Sequence, residues 1–357
     1  MKIIKHLIAV TFLIVIASAC KKDPPITPVT PTPPTPPVPE IIAPPTPFGF
    51  YVVGYFPSYR DVNLVPDVKF RMCNVVNYAF ANIDATGNLS VAVPANLTAV
   101  KIKAKANAAK IFISLSGPAA NFKTMASNAI SRTSFINQTM NIVRTYGLDG
   151  VDVDWEFPRS DDGTDLMYTT LMKQLSDSCH LGRRYYLTAA ITAGKYAGAV
   201  RDGIQNEILL GTFVDWFNIM SYDDFSTTVA YKHHCDLALF NTSINYWNTT
   251  RGLPASKTVI GIAGYGRPSG ITQTGTTLSF SQIIAQAGNP LSDSAVVTTA
   301  GYATPYTIYY NGIATVKKKA IKAKQVANGI MLWEKSQDAH DNNSLLKAVC
   351  DTVGRAY

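Results

Sequence analysis

Residues 148–158 read Leu-Asp-Gly-Val-Asp-Val-Asp-Trp-Glu-Phe-Pro. Alternate residues of a β-strand share a face. Asp152, Asp154 and Glu156 therefore point one way, and Val151, Val153 and Trp155 the other. Buried charge is costly unless it is paired or neutralised, and close carboxylates disfavour joint ionisation. A row of three is expected to hold at least one proton, and its titration belongs to the group. An acid kept protonated near neutral pH can donate to the leaving oxygen of a glycoside. Asp149 has the opposite parity and is expected to support the start of the strand. Two plainer readings compete. A solvent-facing acidic strand is disfavoured by the interleaved valines. A metal site of Asp ligands is disfavoured because no histidine accompanies the row and calcium would want loop carbonyls. No metal and no other cofactor is expected.

Such a row needs a scaffold that faces it inward. Near-continuous apolar runs at 50–55, 75–83, 110–116, 150–157, 185–192, 216–222, 258–265 and 329–333 read as parallel strands buried on both faces. Helical stretches such as 121–146 and 166–179 lie between them. Eight such units predict an α/β fold, a closed (β/α)8 TIM barrel. An open doubly wound sheet would want a Gly-rich phosphate loop after the first strand, where the chain has Gly54-Tyr55-Phe56-Pro57. In the barrel the valines and Trp155 pack outward against helices. The acidic row faces the interior, with Glu156 nearest the C-terminal mouth where active sites of such barrels lie.

The N-terminus implies export. Lys2 and Lys5 precede an apolar run, and Ala17-Ser18-Ala19-Cys20 follows, the layout of a secretory signal too short to span a membrane stably. A cysteine at that point resembles a bacterial lipobox, which implies lipidation of Cys20, a membrane anchor and a place in the bacterial cell envelope. Residues 1–20 are thus read as a lipoprotein signal, 21–48 as a Pro/Thr-rich extended spacer and 49–357 as the catalytic barrel. The net charge of +8 comes from scattered lysines that read as solvated helix faces, so no nucleic-acid partner is expected, and the barrel is expected to be a monomer. Cys73, Cys179, Cys235 and Cys350 do not form a disulfide framework, though one bridge among them is open. His233-His234-Cys235-Asp236 lacks the i, i+4 spacing of a helical metal site and reads as loop.

Asp149-Gly-Val-Asp152-Val-Asp154-Trp-Glu156 resembles the DxxDxDxE signature of family 18 glycoside hydrolases, the chitinases. Further segments agree in order. Ser114-Leu115-Ser116-Gly117 resembles SxGG with Ser116 in place of the first glycine. Met220-Ser221-Tyr222-Asp223 resembles MxYD, 261–267 ends in Tyr-Gly-Arg, and 329–333 ends in Trp333, followed by Asp338. The resemblance implies a substrate-assisted mechanism, an exception to the two-carboxylate rule. Glu156 would act as acid and base. Asp154 would orient the acetamide, Asp152 would tune Asp154 through a shared proton, and Tyr222 would bond the acetamide oxygen. Trp333 would floor the cleavage site, with Met220 facing inward beside it and Asp223, Tyr55 and Ser114 in lesser contacts. Strand parity points Asp223 away from Tyr222. Some chitinases insert an extra α+β domain between strands seven and eight. The stretch from Arg267 to Gly329, part of which (313–327) reads as the last barrel helix, suits a full domain poorly, so an open groove is expected. The implied partner is chitin or another N-acetylglucosamine-containing glycan. The alternatives are an endo-β-N-acetylglucosaminidase acting on N-glycans and, in another class, a non-catalytic chitin-binding lectin, which the intact Glu156 disfavours.

Overall fold

A computed structural model describes residues 49–357 apart from 182–184, 271–275, 287 and 303. Cys20, the signal-like segment and the Pro/Thr-rich stretch lie outside the described residues. In chain order the strands are β1 (Tyr51–Pro57), β2 (Val75–Ile83), β3 (Leu89–Val91), β4 (Lys110–Ser116), β5 (Gly150–Val153), β6 (Tyr186–Thr192), β7 (Trp216–Met220), β8 (Thr258–Ala263), β9 (Tyr265–Pro268), β10 (Leu278–Ser279), β11 (Ser294–Val297), β12 (Tyr306–Tyr309) and β13 (Gly329–Trp333). Parallel pairing runs β1-β13-β8-β7-β6-β5-β4-β2, and β2 pairs back onto β1. This closes the expected (β/α)8 barrel, with β3 folded antiparallel onto β2.

Both strand faces are buried, as their apolar runs require. The interior below the mouth is filled by aromatic rings. Tyr51 stacks on Trp216 at 4.5 Å between centroids, and Phe112 lies 5.4 Å from Tyr186. Outside, Val151, Val153 and Trp155 join the core shared with the helices, and Trp155 stacks on Phe122 at 5.1 Å. Each such side chain contributes a few kcal/mol of burial, on the order of 1.5–3. The acidic strand therefore divides between its faces as its alternation predicts.

The predicted helix 121–146 is two helices, Ala119–Ala126 and Ala129–Tyr146. Between them Asn128 is extended, and its side chain accepts from the Ile130 N–H. Short polar side chains favour such caps over helix interiors. The stretch 166–179 is the helix Thr164–His180. Between β8 and β13, the helix Ile313–Val326 is the expected last barrel helix. The remainder forms a small α+β module, an antiparallel sheet in the order β10-β9-β12-β11 with the short helix Phe280–Ala285. It falls short of a large domain, but it is an ordered sheet that the sequence did not delineate. Cys73, Cys235 and Cys350 are buried free thiols, and Cys179 is buried with its sulfur 3.9 Å from Met140 Sδ. Among the described residues no helix is long and apolar enough to cross a membrane.

Candidate active site

The ladder of β5 ends at Val153, sooner than the apolar run suggests, although the Asp154 N–H still reaches Leu115 O at 2.9 Å. Asp149 lies below the row and accepts from the Ile111 N–H at 3.0 Å, the supporting role its parity implied. Asp152 is fully buried. Its Oδ2 accepts from Tyr55 Oη at 2.7 Å and Ser114 Oγ at 2.8 Å, and its Oδ1 from Thr188 Oγ1 at 2.6 Å and Asn218 Nδ2 at 3.1 Å. Burial raises its pKa, and these four donors oppose the rise. Burial prevails, so its pKa stays above the ordinary value, held back by the four donors.

Asp154 is also buried, and its Oδ1 has no hydrogen-bond partner among the described residues. Burial, then the charges of Glu156 and Asp152, hold its carboxyl well above the ordinary range. With no donor to its Oδ1, Asp154 is pushed further above its ordinary range than Asp152, which four donors hold back. Glu156 stands exposed at the mouth. Partial enclosure of its carboxyl, then the charge of Asp223, raise its pKa too. From the bottom to the opening, the three carboxyls grade from one met by four donors, through one whose Oδ1 has none, to one exposed at the mouth.

A cavity of about 770 Å³ opens above them, and Tyr55, Met220, Tyr222, Asp223 and Trp333 line it with Asp154 and Glu156. Trp333 ends β13 with its ring 5.5 Å from Tyr55 and stacked 5.9 Å from Phe80. Burial, then Asp154, pushes the Tyr222 phenol far above its ordinary pKa, so it remains a neutral donor. Two assignments need correction. Ser114 is fully buried beneath the row and bonds Asp152, so it is a support and not a substrate contact. Asp223 faces the cavity with Tyr222, because β7 ends at Met220 and Asp223 turns through a left-handed conformation (φ 63°), where strand parity no longer applies.

Asp223 is held by the module and by a buried histidine. Its Oδ1 accepts from Tyr265 Oη at 2.6 Å, lies 2.9 Å from Arg267 Nε, and is 3.6 Å from His234 Nδ1. Burial would raise its pKa, but His234, Tyr265 and Arg267 outweigh burial and hold it below the ordinary value. His233–Asp236 is loop, as expected, and no group of three or more metal-binding side chains occurs among the described residues. Gly117 keeps a backbone (φ 142°) at which a Cβ would meet Ile83 O at 2.9 Å, while Ser116 lines the cavity. The sequence reading missed Phe80, Thr188 and Asn218. Asn218 had a signal, since it is the lone polar residue within the apolar strand β7.

Residues 51–338 match the family model described as Glycosyl hydrolases family 18. The chain belongs to glycosyl hydrolase family 18. Within the family it is similar to the Class V chitinase of Arabidopsis thaliana, 26% identical over 328 residues, which covers 80% of this chain and 85% of that one. A probable endochitinase of Caenorhabditis elegans is 28% identical over 283 residues, 68% of this chain but only 44% of the worm protein. Among solved structures, the GH18 chitinase ChiB from the chitin utilization locus of Flavobacterium johnsoniae superposes with TM-score 0.69 at 29% identity, covering 85% of this chain and 94% of that one. The GH18 chitinase from Cycas revoluta, solved in complex with (GlcNAc)3, matches with TM-score 0.71 at 23% identity over 85% of this chain and all of that one, a likeness of fold.

Proposed function

We propose that this family 18 chain is an enzyme that hydrolyses β-1,4-linked N-acetylglucosamine polymers or oligomers with retention, the substrate's own acetamide supplying the nucleophile. The observation that supports the reading is the graded carboxyl row, with Glu156, its pKa raised, at an open cavity that Trp333 also lines. Glu156 gives its proton to the leaving oxygen as the acetamide oxygen attacks the anomeric carbon. Asp154 faces the resulting oxazolinium ion and Tyr222 bonds the acetamide oxygen. Glu156, now a carboxylate, takes a proton from the water that opens the ring. Placing the nucleophile within the substrate gives it a large effective concentration.

Glu156→Gln keeps the shape and removes the acid. Turnover should fall by about 10² to 10⁴ while calorimetric binding of N-acetylglucosamine oligomers persists. Normal turnover in a clean preparation would overturn the assignment. The substrate panel should pair chitin oligomers with high-mannose and complex glycoproteins; release of N-glycans without cleavage of chitin oligomers would move the reading to an endo-β-N-acetylglucosaminidase. The anchor and spacer read in residues 1–48 belong to the same proposal, with the barrel held at a bacterial membrane surface.

A further inference from the structure

The cavity is asymmetric in charge. One end carries Trp333, Phe80 and Tyr55; of the cations close to it in the chain, Arg60 is paired with Glu334 at 2.9 Å and Lys335 is fully buried over the Phe70 ring. The other end is built by the loops after β6 and β7, from which Lys195, Tyr196 and Asp224 line the cavity. Asp224 accepts from Lys195, from Lys232 at 2.6 Å and from Tyr196 Oη at 2.5 Å. Lys232 also donates to Tyr196 Oη at 3.0 Å. Two ammonium groups share one carboxylate, so the cluster keeps one net positive charge. Partial burial pulls both lysines down, but bonding to Asp224 outweighs it and leaves both above their ordinary pKa. The arginines on the same wall do not add to this excess. Arg159 is matched by Asp161 at 2.6 Å and Arg201 by Asp202 at 3.1 Å.

Tyr196 turns this charge into a surface for a sugar. Its residue is 63% exposed, its hydroxyl is tied to Asp224, and the two ammonium groups lie 5.1 Å and 5.7 Å from its ring centroid. An aromatic ring fixed in this way offers a flat apolar face to a pyranose, with cationic donors beside it. A neutral acetamide can accept a hydrogen bond from such a donor. A deacetylated unit presents an ammonium group instead, and like charges repel.

We propose that Tyr196 with the Lys195–Asp224–Lys232 cluster forms a wall that accepts an uncharged N-acetylated unit on one flank of the scissile bond and rejects a cationic glucosamine there. This deepens the proposed activity and rests on it. It concerns a unit beside the cleavage site, not the acetamide that would attack within it.

Product sequencing by mass spectrometry on partially acetylated chitosan tests the wall, run beside fully acetylated hexamer. One flank of the cut should discriminate against glucosamine. Lys195→Gln or Lys232→Gln should weaken that bias by about 3- to 10-fold, as expected for one charge removed near another across a solvated cleft. Lys195→Arg should retain it, and salt at about 1 M, where the screening length is about 3 Å, should reduce it. A bias that neither Gln variant changes, or that salt leaves intact, overturns the wall. If the hexamer is cleaved but the chitosan products show no flank bias, the wall alone fails. If the hexamer is not cleaved, the proposed activity fails, and calorimetric binding of acetylated against deacetylated oligomers to the same variants still reads the wall.

Discussion

The surroundings of Glu156 and the nearby carboxylate of Asp223 both oppose its ionisation and raise its pKa. Activity that needs Glu156 protonated falls as pH rises through its pKa. Taking away the Asp223 charge lowers that pKa, so Asp223→Asn should move the basic limb of the kcat/KM profile down by about 0.5 to 1 pH unit; a limb that stays in place would show the two groups to be uncoupled. The same variant bears on the nucleophile. Asp223 is ionised and faces the cavity, but its Oδ1 is committed to Tyr265 and Arg267. A protein nucleophile would lose its turnover on conversion to Asn, whereas a charge acting at a distance leaves turnover with a shifted profile. With the acetamide as nucleophile, fully deacetylated and cellulose oligomers should resist cleavage. NMR of the first-formed anomer should show β, since two inversions occur in succession. An initial α product, or comparable rates on the deacetylated series, would rule this out. The acidic row was legible in the sequence because the two-residue alternation that starts in β5 persists through Glu156, past the last ladder pair at Val153. The orientation of Asp223 was not, because parity lapses where the chain leaves β7, and the hydrogen-bond role of Ser114 depends on a neighbouring strand that no local pattern displays.

At the scale of elements, the barrel strands were legible because each is buried on both faces and so reads as an apolar run. The β9–β12 module was not. Its strands have two to four residues, too few to show a period, yet β9 delivers Tyr265 and Arg267 to Asp223. The helix break at Asn128 is likewise a local capping choice inside a continuous helical pattern. Past the end of β13, the short helix Lys335–Gln337 buries an amine beneath the site. Lys335 is fully buried, its Nζ has no hydrogen-bond partner among the described residues, and it lies over the Phe70 ring. Burial pulls its pKa down to about 7. A lysine whose folded pKa lies below its unfolded value costs nothing when both states are neutral. The cost grows as pH falls from the unfolded to the folded value, and is level below that. Lys335→Met should therefore stabilise the fold by about 2–4 kcal/mol at pH 7, and the gain should shrink as pH rises toward 10. Chemical denaturation of both proteins at pH 6, 8 and 10 checks this. A gain that does not vary with pH would trace to packing rather than to the buried charge.

For the whole molecule, the proposed anchor and spacer decide where the cleft can work. Chitin is insoluble, so an enzyme tied to a membrane reaches it only through the length of its tether. Residues 21–48 are dominated by Pro and Thr. A chain in the polyproline conformation rises about 3.1 Å per residue, so a spacer of this length in that conformation would reach up to roughly 90 Å. A single acyl chain holds a protein only marginally, and stable anchoring takes more than one, which a lipidated N-terminal cysteine of the bacterial kind would supply. Cys20→Ala should therefore move the protein from the membrane fraction to the soluble or unprocessed pool, while hydrolysis of soluble oligomers per molecule of folded barrel is unchanged, since Cys20 precedes the barrel in the chain. Shortening 21–48 with Cys20 intact should do the reverse: membrane association stays and soluble oligomers are cut at the same rate, but intact cells degrade insoluble chitin more slowly. Detergent partitioning and cell fractionation read the first variant, and a whole-cell chitin assay reads the second. Equal partitioning with and without Cys20 would remove the anchor. Equal chitin degradation with a full and a shortened spacer would show that reach is not what the Pro/Thr-rich segment provides.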